Sequence, residues 1–318
     1  MLGERGSIMN ILVTGGAGFI GSHLVRKLLS MGHDVLVVDD LRGGLRTNVP
    51  EGAGFVCLDI NSPSLLDIMD RGRFQYVVHL AAQTRVDVSI KDPYDDTRDN
   101  VMGTVNVLEC ARKIGVQRIV FASSAAVYGD PPETDLPLAE DYRLSPLSFY
   151  GLSKAAIESY LRLYRKWYGL EYVILRFANV YGERAEVGGE GGVINVFAKR
   201  AARDMDITVY GDGSQSRDYI YAGDIANGIV CALTTEQADE AYHLSTGREA
   251  SLLDVLAELR RVSGKELTPN FTRMRKGDIY RSVLSNEKAR RLLGWEPYMK
   301  LEDGIAVTYQ YAAEQGGI

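Results

Sequence analysis

Short apolar, β-branched runs alternate with helix-length amphipathic stretches through roughly the first 180 residues. The runs at 10–14, 34–39, 54–58, 75–80, 118–123 and 171–177 read as strands, and the stretches at 19–31, 62–69, 93–114 and 148–168 as helices. This rhythm is that of successive βαβ units, and it predicts an α/β fold with a doubly wound parallel sheet. After Gly182 the rhythm fails. A glycine-dense loop at 182–192 leads into a mixture of short strands and helices, which predicts a smaller C-terminal mixed α/β lobe. The expected division is 1–182 and 183–318, with the chain free to cross back between the two parts.

The first strand runs directly into Gly15-Gly-Ala-Gly18-Phe-Ile-Gly21 and a helix. A tight turn, a close backbone approach and an open helix N-terminus are combined there, which suits a dinucleotide diphosphate and predicts a Rossmann-like NAD domain. The second strand ends in Asp39-Asp40. A carboxylate at that place accepts hydrogen bonds from the adenosine ribose hydroxyls and repels a 2′-phosphate, so NAD is favoured over NADP, with Arg42 as a counter-signal. Asp39 is the first choice for the ribose, and Asp40 could share it. Asp59, ending the third strand, is placed to reach the adenine amino group.

Chemistry is signalled by Tyr150-Gly-Leu-Ser-Lys154 on a helix, with Ser123-Ser124 ending the strand before it. Tyrosine and lysine four apart share one helix face. A nearby ammonium favours the phenolate, so Lys154 is expected to lower the Tyr150 pKa while the Ser124 hydroxyl bridges the phenol and a substrate oxygen.

Composition narrows the partners. With 46% hydrophobic and 25% charged residues among 318, the chain is an ordinary globular one, and disordered, collagen-like and disulfide-scaffold classes are excluded. A net charge of −6 supplies no basic face for a phosphate backbone, so no nucleic acid is expected. Cys57, Cys110 and Cys231 are scattered through apolar stretches and read as reduced core residues rather than a disulfide or metal set. With neither a signal-peptide pattern nor an apolar run of about 20 residues, the expectation is a cytoplasmic protein without membrane contact.

Eight stretches together resemble the extended short-chain dehydrogenase/reductase family, the NAD-dependent epimerases and dehydratases, over nearly the whole chain. They are Thr14–Gly21, His79–Ala82, Asn100–Asn106, Ser123–Gly129, Tyr150–Lys154, Leu175–Gly182, Arg217–Tyr219 and Gly294–Pro297. The resemblance implies that Ser124, Tyr150 and Lys154 are catalytic. In the NAD groove it implies Gly15, Gly18, Phe19, Ile20 and Gly21 at the diphosphate and Asp39, Asp40, Asp59 and Ile60 at the adenosine. Leu80, Ala81, Ala82, Asn100, Ser123 and Phe177, with Tyr150 and Lys154, would line the nicotinamide half. Asn179, Val193, Tyr210, Arg217, Tyr219, Arg275 and Asp278 would hold a nucleotide diphosphate and its base. One departure is that Thr84 and Arg85 stand where some similar enzymes place a phosphate-contacting lysine.

The resemblance allows 4-epimerisation, 4,6-dehydration or decarboxylation of a nucleotide sugar, all of which begin with hydride removal from C4. Similar dehydratases carry Asp-Glu directly before Val-Tyr-Gly, and similar decarboxylases a glutamate there, whereas this chain has Ala125 and Ala126. Methyl groups move no protons. The expected activity is therefore 4-epimerisation of a UDP-linked hexose, glucose and galactose first, with another nucleotide-sugar epimerase such as one for UDP-glucuronate as the alternative. A protein that only binds NAD is disfavoured by the intact Ser124, Tyr150 and Lys154. Ser282, four places after Asp278, stands where similar enzymes carry a residue that gates the C2 substituent, and its small size predicts room for an N-acetyl group; if the loop were shifted by a residue, Tyr280 or Arg281 would face the sugar instead. Helices 93–114 and 148–168 carry apolar residues on more than one face, which with the resemblance predicts a homodimer through a four-helix bundle.

Overall fold

The computed structural model describes residues 8–185, 192–274 and 279–315. Strands β1 (Asn10–Thr14), β2 (Asp34–Asp39), β3 (Gly54–Cys57), β4 (Tyr76–His79), β5 (Arg118–Ser124) and β6 (Glu171–Phe177) form where the apolar runs placed them. Helices α1 (Phe19–Ser30), α2 (Leu65–Gly72), α3 (Val86–Lys91), α4 (Pro93–Thr97), α5 (Gly103–Ile114) and α6 (Phe149–Tyr168) connect them. The rest of the chain contributes β7 (Asn179–Tyr181), α7 (Gly192–Ala202), β8 (Thr208–Tyr210), β9 (Ser216–Tyr221), α8 (Ala222–Thr234), β10 (Glu240–Leu244), β11 (Glu249–Ser251), α9 (Leu252–Ser263), β12 (Asn270–Thr272), β13 (Arg281–Ser282) and α10 (Leu301–Glu314).

The main sheet is parallel throughout, in the order β10-β6-β5-β4-β1-β2-β3. Its central strands are apolar at nearly every position because helices cover both faces, and Ile11, Leu12 and Val13 have no exposed surface at all. After β3 the chain crosses over β1 to build β4, so the strand order reverses between β1 and β4 and the loops at their C-terminal ends diverge. That divergence makes the crevice in which ligands of such sheets bind. Two apolar clusters fill the two faces, one running from Ile11 and Leu24 to Ile229, the other from Leu12 and Ile119 to Leu161.

Three features differ from the sequence reading. The helix expected at 93–114 is broken: α4 and α5 are joined by a wider π-type turn at Arg98–Met102, in which Asp99 and Asn100 are buried. The extra residue in such a turn re-aims side chains, and such turns are frequent at functional sites. A seventh strand, β10, comes from beyond Gly182 and pairs with β6, Glu240 beside Val173, while α8 packs on α1. Cys57 is exposed rather than a core residue, because β3 is the outermost strand; Cys110 is buried and Cys231 partly so.

A second cluster of elements is built from the later part of the chain. β9 is flanked by β11, β13 and β7, and α7, α9 and α10 enclose a separate core of Ile194, Phe197, Val255, Leu256 and Ile305. No described helix is long and apolar enough to cross a membrane.

Candidate active site

The glycine turn closes on itself tightly enough that side chains cannot enter. A Cβ on Gly21 would stand 2.2 Å from the Gly15 carbonyl oxygen, and one on Gly15, whose φ is +72°, 2.6 Å from the Ala81 nitrogen. The turn is hydrogen-bonded from Gly15 N to the Val38 carbonyl at 2.9 Å. α1 then starts at Phe19 with Gly18 as its N-cap and no side-chain cap, leaving the helix dipole directed at whatever lies over the turn. Phe19 and Ile20 pack behind it with Ala185 and Ala222. This cradle of main chain fits a dinucleotide diphosphate.

At the adenosine end, Asp39 and Asp40 divide their work. Asp39 is buried against the turn, its Oδ2 accepting from Ala17 N at 3.0 Å and its Oδ1 from Leu41 N at 2.9 Å. Burial raises its carboxyl pKa. Asp40 instead pairs with Arg42. Arg42 also donates to Asp99 at 2.8 Å and lies 3.7 Å from Asp59. The cation that could have greeted a 2′-phosphate is thus held among three carboxylates. Asp59 caps the next turn through Asn61 N at 2.8 Å, and Ile60 beside it is buried.

On the other side of the crevice, Leu80, Ala81 and Ala82 leave β4, with Leu80 N bonded to the Thr14 carbonyl at 3.0 Å. Asn100 is committed to shaping this wall: its Oδ1 accepts from Gln83 N at 2.8 Å and its Nδ2 donates to the Gln83 carbonyl at 2.9 Å. Arg85 is engaged by Asp87 at 2.7 Å. Phe177, buried, lies beside Ser124 across the β5–β6 ladder.

α6 delivers the tyrosine and lysine. It starts on Ser148, whose hydroxyl accepts from Gly151 N at 3.1 Å, and Gly151 lies so close to β5's exit that a Cβ would stand 2.4 Å from the Ala126 carbonyl oxygen. One face is thereby pressed onto β5 where Ser124 ends the strand. The Ser124 Oγ accepts from Ala126 N at 3.2 Å, and Ser124 also acts on the Tyr150 phenol, lowering its pKa against the larger effect of burial. Lys154 reaches under the sheet end, donating to the Ala122 carbonyl at 2.8 Å, 4.8 Å above the Phe121 ring and 5.8 Å from the centre of the Tyr150 ring. Burial pushes its ammonium down to about 8.

The expected tuning of Tyr150 is corrected here. Its pKa is raised, first by burial, and Ser124 only partly opposes that. Lys154 spends its hydrogen bond on the Ala122 carbonyl rather than on the phenol, so desolvation wins. Ser123 differs as well: its hydroxyl turns away from the crevice to Glu158 at 2.7 Å. That bond belongs to a buried network absent from the sequence reading, in which Arg176 grips Glu158 at 2.9 and 2.6 Å and donates to Tyr128 at 2.5 Å. The signal for it is Arg176 itself, a charge inside an otherwise apolar strand run.

The candidates beyond Phe177 are gathered by β9. Asn179 lies beside Tyr219 and Arg217 beside Ser282 in its ladders. Arg217 reaches the carbonyls of Ser216 at 2.8 Å and Tyr280 at 3.2 Å. The Tyr219 hydroxyl is buried with no hydrogen-bond partner among the described residues. Val193 is the second residue of α7 and Tyr210 ends β8, a third exposed. Tyr280 bonds Ser214 at 2.5 Å, and Arg281 is held by Glu249 and by Glu133 at 3.0 Å. Arg275 and Asp278 lie outside the described residues.

Residues 11–245 match the model of the NAD dependent epimerase/dehydratase family. The chain belongs to that family. Among its relatives, a putative UDP-glucose 4-epimerase of Methanocaldococcus jannaschii is 42% identical over 296 residues, 93% of this chain and 95% of the relative. A crystal structure of the UDP-glucose 4-epimerase of Thermotoga maritima with UDP-glucose superposes with a TM-score of 0.93 at 38% identity, covering 96% of this chain and 99% of the other. The UDP-glucose 4-epimerase of Thermus thermophilus in complex with NAD gives 0.91 at 39% identity, covering 98% and 100%.

Proposed function

We propose that this protein is an NAD-dependent epimerase that inverts C4 of a UDP-linked hexose, interconverting UDP-glucose and UDP-galactose. The observation that carries this reading is the meeting of Ser124, Tyr150 and Lys154 at the crevice beside the glycine cradle, with Ala125 and Ala126 where a dehydratase or decarboxylase needs acids. NAD, held by the glycine turn with its nicotinamide toward Tyr150, would supply the acceptance and return of the C4 hydride. Tyr150, once it has lost its own proton, accepts the proton of the C4 hydroxyl as the hydride leaves and gives it back on return, Ser124 orients the sugar oxygen, and Lys154 keeps positive charge under both. The glycine turn, α1, Asp39 and Asp59 hold the cofactor's diphosphate and adenosine, and Leu80 to Ala82, Asn100 and Phe177 bound the nicotinamide side. Arg217 and Tyr219, with Arg275 and Asp278, grip the nucleotide, leaving the keto-sugar loose enough to turn. In functional terms NAD lies on 1–182 together with the returning α8 and β10, the nucleotide lies on the rest of 183–318, and the protein works in the cytoplasm. The test is turnover: purified protein incubated with UDP-galactose yields UDP-glucose, and NAD binding without any change in the sugar would leave only a binding protein.

The gate reading of Ser282 is supported by Tyr280 and Arg281 being engaged elsewhere, with Ser214 and with Glu249 and Glu133. The enzyme is therefore expected to accept UDP-GlcNAc and UDP-GalNAc, and Ser282→Tyr to lower kcat/KM for the acetylated sugars relative to the plain ones by about tenfold or more. An unchanged ratio rules Ser282 out as the gate.

We further propose a homodimer. Leu152, Tyr160, Leu163 and Trp167 are exposed at helical spacing along α6, Trp167 at 69%, with Met102 exposed at the π turn. A row of large apolar side chains of this kind calls for a partner, and a second copy placing its own α5 and α6 there makes a four-helix bundle. Light scattering at micromolar protein should give about twice the 35.1 kDa chain mass; a monomer excludes this arrangement.

A further inference from the structure

Asp96 has no part in the chemistry described so far, yet it is one of the most deeply buried charged residues of the molecule, 1% exposed. It sits on α4, which packs against α6, one helical turn before Asn100. Its Oδ1 accepts from Gln83 Nε2 at 2.8 Å and from Asn100 Nδ2 at 3.1 Å. Its Oδ2 is buried with no hydrogen-bond partner among the described residues. Asn100 Nδ2 also reaches the hydroxyl of Ser153 at 3.3 Å, and that hydroxyl donates to the Tyr150 carbonyl at 2.8 Å. A chain of short contacts thus runs from Asp96 to the turn of α6 that carries Tyr150 and Lys154.

Lys154 presents the complementary problem. Its ammonium is buried, 4% exposed, and among the described residues it forms no ion pair. Its surroundings are the Ala122 carbonyl, the Phe121 ring and Tyr150. His79 on β4 faces it but is held neutral: Nδ1 and Nε2 bond the hydroxyls of Thr14 at 2.6 Å and Thr104 at 2.9 Å, and burial together with the lysine charge takes its pKa down to about 3. Glu158, one turn further along α6, is committed to Arg176. Asp99, facing Asp96 from the π turn, is committed to Arg42 and Arg98. An uncompensated charge in so dry a place is expensive, and one carboxylate remains to balance it.

We propose that Asp96 is the buried counter-charge of Lys154, a positioning residue that acts on the tyrosine–lysine pair through space rather than by touching substrate or cofactor. This rests on the reading of Tyr150 and Lys154 as the catalytic pair. The signs of the shifts agree with the geometry: the Asp96 charge raises the ammonium against the larger effect of burial, and it raises the Tyr150 phenol further. Asp96 itself is raised by burial, with Gln83 and Lys154 among the groups opposing that. Removing its charge therefore lowers both members of the pair, whose two macroscopic steps bound the active pH range.

The experiment is the pH profile of kcat on NAD-loaded enzyme. Asp96→Asn is expected to move both limbs to lower pH by about half a unit or more, and Asp96→Glu to restore them. Gln83→Leu removes one hydrogen-bond donor from Asp96 without touching its charge or the chain to α6, and should leave the limbs in place. Limbs unmoved in Asp96→Asn, or moved equally by Gln83→Leu, overturn the proposal. If Asp96→Asn does not accumulate as holoenzyme, Asp96→Ser, which leaves room for a water, takes its place. Failure of both while Gln83→Leu folds also overturns it, in favour of a purely architectural carboxylate. Full turnover by Tyr150→Phe would sink the underlying reading instead, so the two failures are told apart.

Discussion

Tyr150→Phe is expected to lower kcat by about two to four orders of magnitude while NAD stays bound, because the phenol moves a proton and does not hold the cofactor. Phenylalanine keeps the ring that Lys154 faces and loses only the hydroxyl. Each decade corresponds to about 1.36 kcal/mol of barrier, so the expected loss is about 3–5 kcal/mol in the transition state with little change in KM. Steady-state kinetics with UDP-galactose and a spectrophotometric NAD count on the same sample decide it. A variant that keeps more than about a tenth of wild-type kcat removes Tyr150 from the proton path.

The second large effect is on stability. Arg176, 2% exposed, meets Glu158, fully buried, through two hydrogen bonds, and it also donates to Tyr128 and to the Glu140 carbonyl at 2.8 Å. Arg176→Met strands the Glu158 carboxylate in the interior with Ser123 and, at 3.4 Å, the half-exposed Arg162. Breaking such a pair costs about 3–5 kcal/mol, whereas replacing both partners by apolar residues of like volume costs far less. Denaturant titration should therefore show Arg176→Met well below wild type and Arg176→Met/Glu158→Met above the single variant. If the double variant is the weaker of the two, the stranded charge is not the cause.

What could be read from the sequence was whatever depended on local pattern. β1, β2 and β6 are apolar runs buried on both faces, and the glycine turn is dictated by close approaches that only a missing Cβ permits. What could not be read depended on long-range pairing or on desolvation. β10 is the five-residue Glu-Ala-Tyr-His-Leu, short and flanked by polar residues, and it becomes a strand because β6 offers it an edge. The π turn at 98–102 lies inside an unbroken helical pattern and is set by the burial of Asp96, Asp99 and Asn100. The raised Tyr150 phenol follows from desolvation of a partly buried side chain, which no spacing of tyrosine and lysine reveals. Ser123 and Ser124 are neighbours with opposite aims, one inward to Glu158 and one toward the phenol, because successive residues of a strand point to opposite faces.

The position of β10 also governs how the chain can be made. Until residue 244 has left the ribosome, β6 presents a row of unpaired peptide groups at the rim of the sheet, and the Tyr172–Phe177 side chains that β10 and α8 cover stand open. A nascent or truncated chain ending near 182 is therefore a sticky fragment and not a small NAD-binding protein, and about sixty further residues must be synthesised before the first half can close.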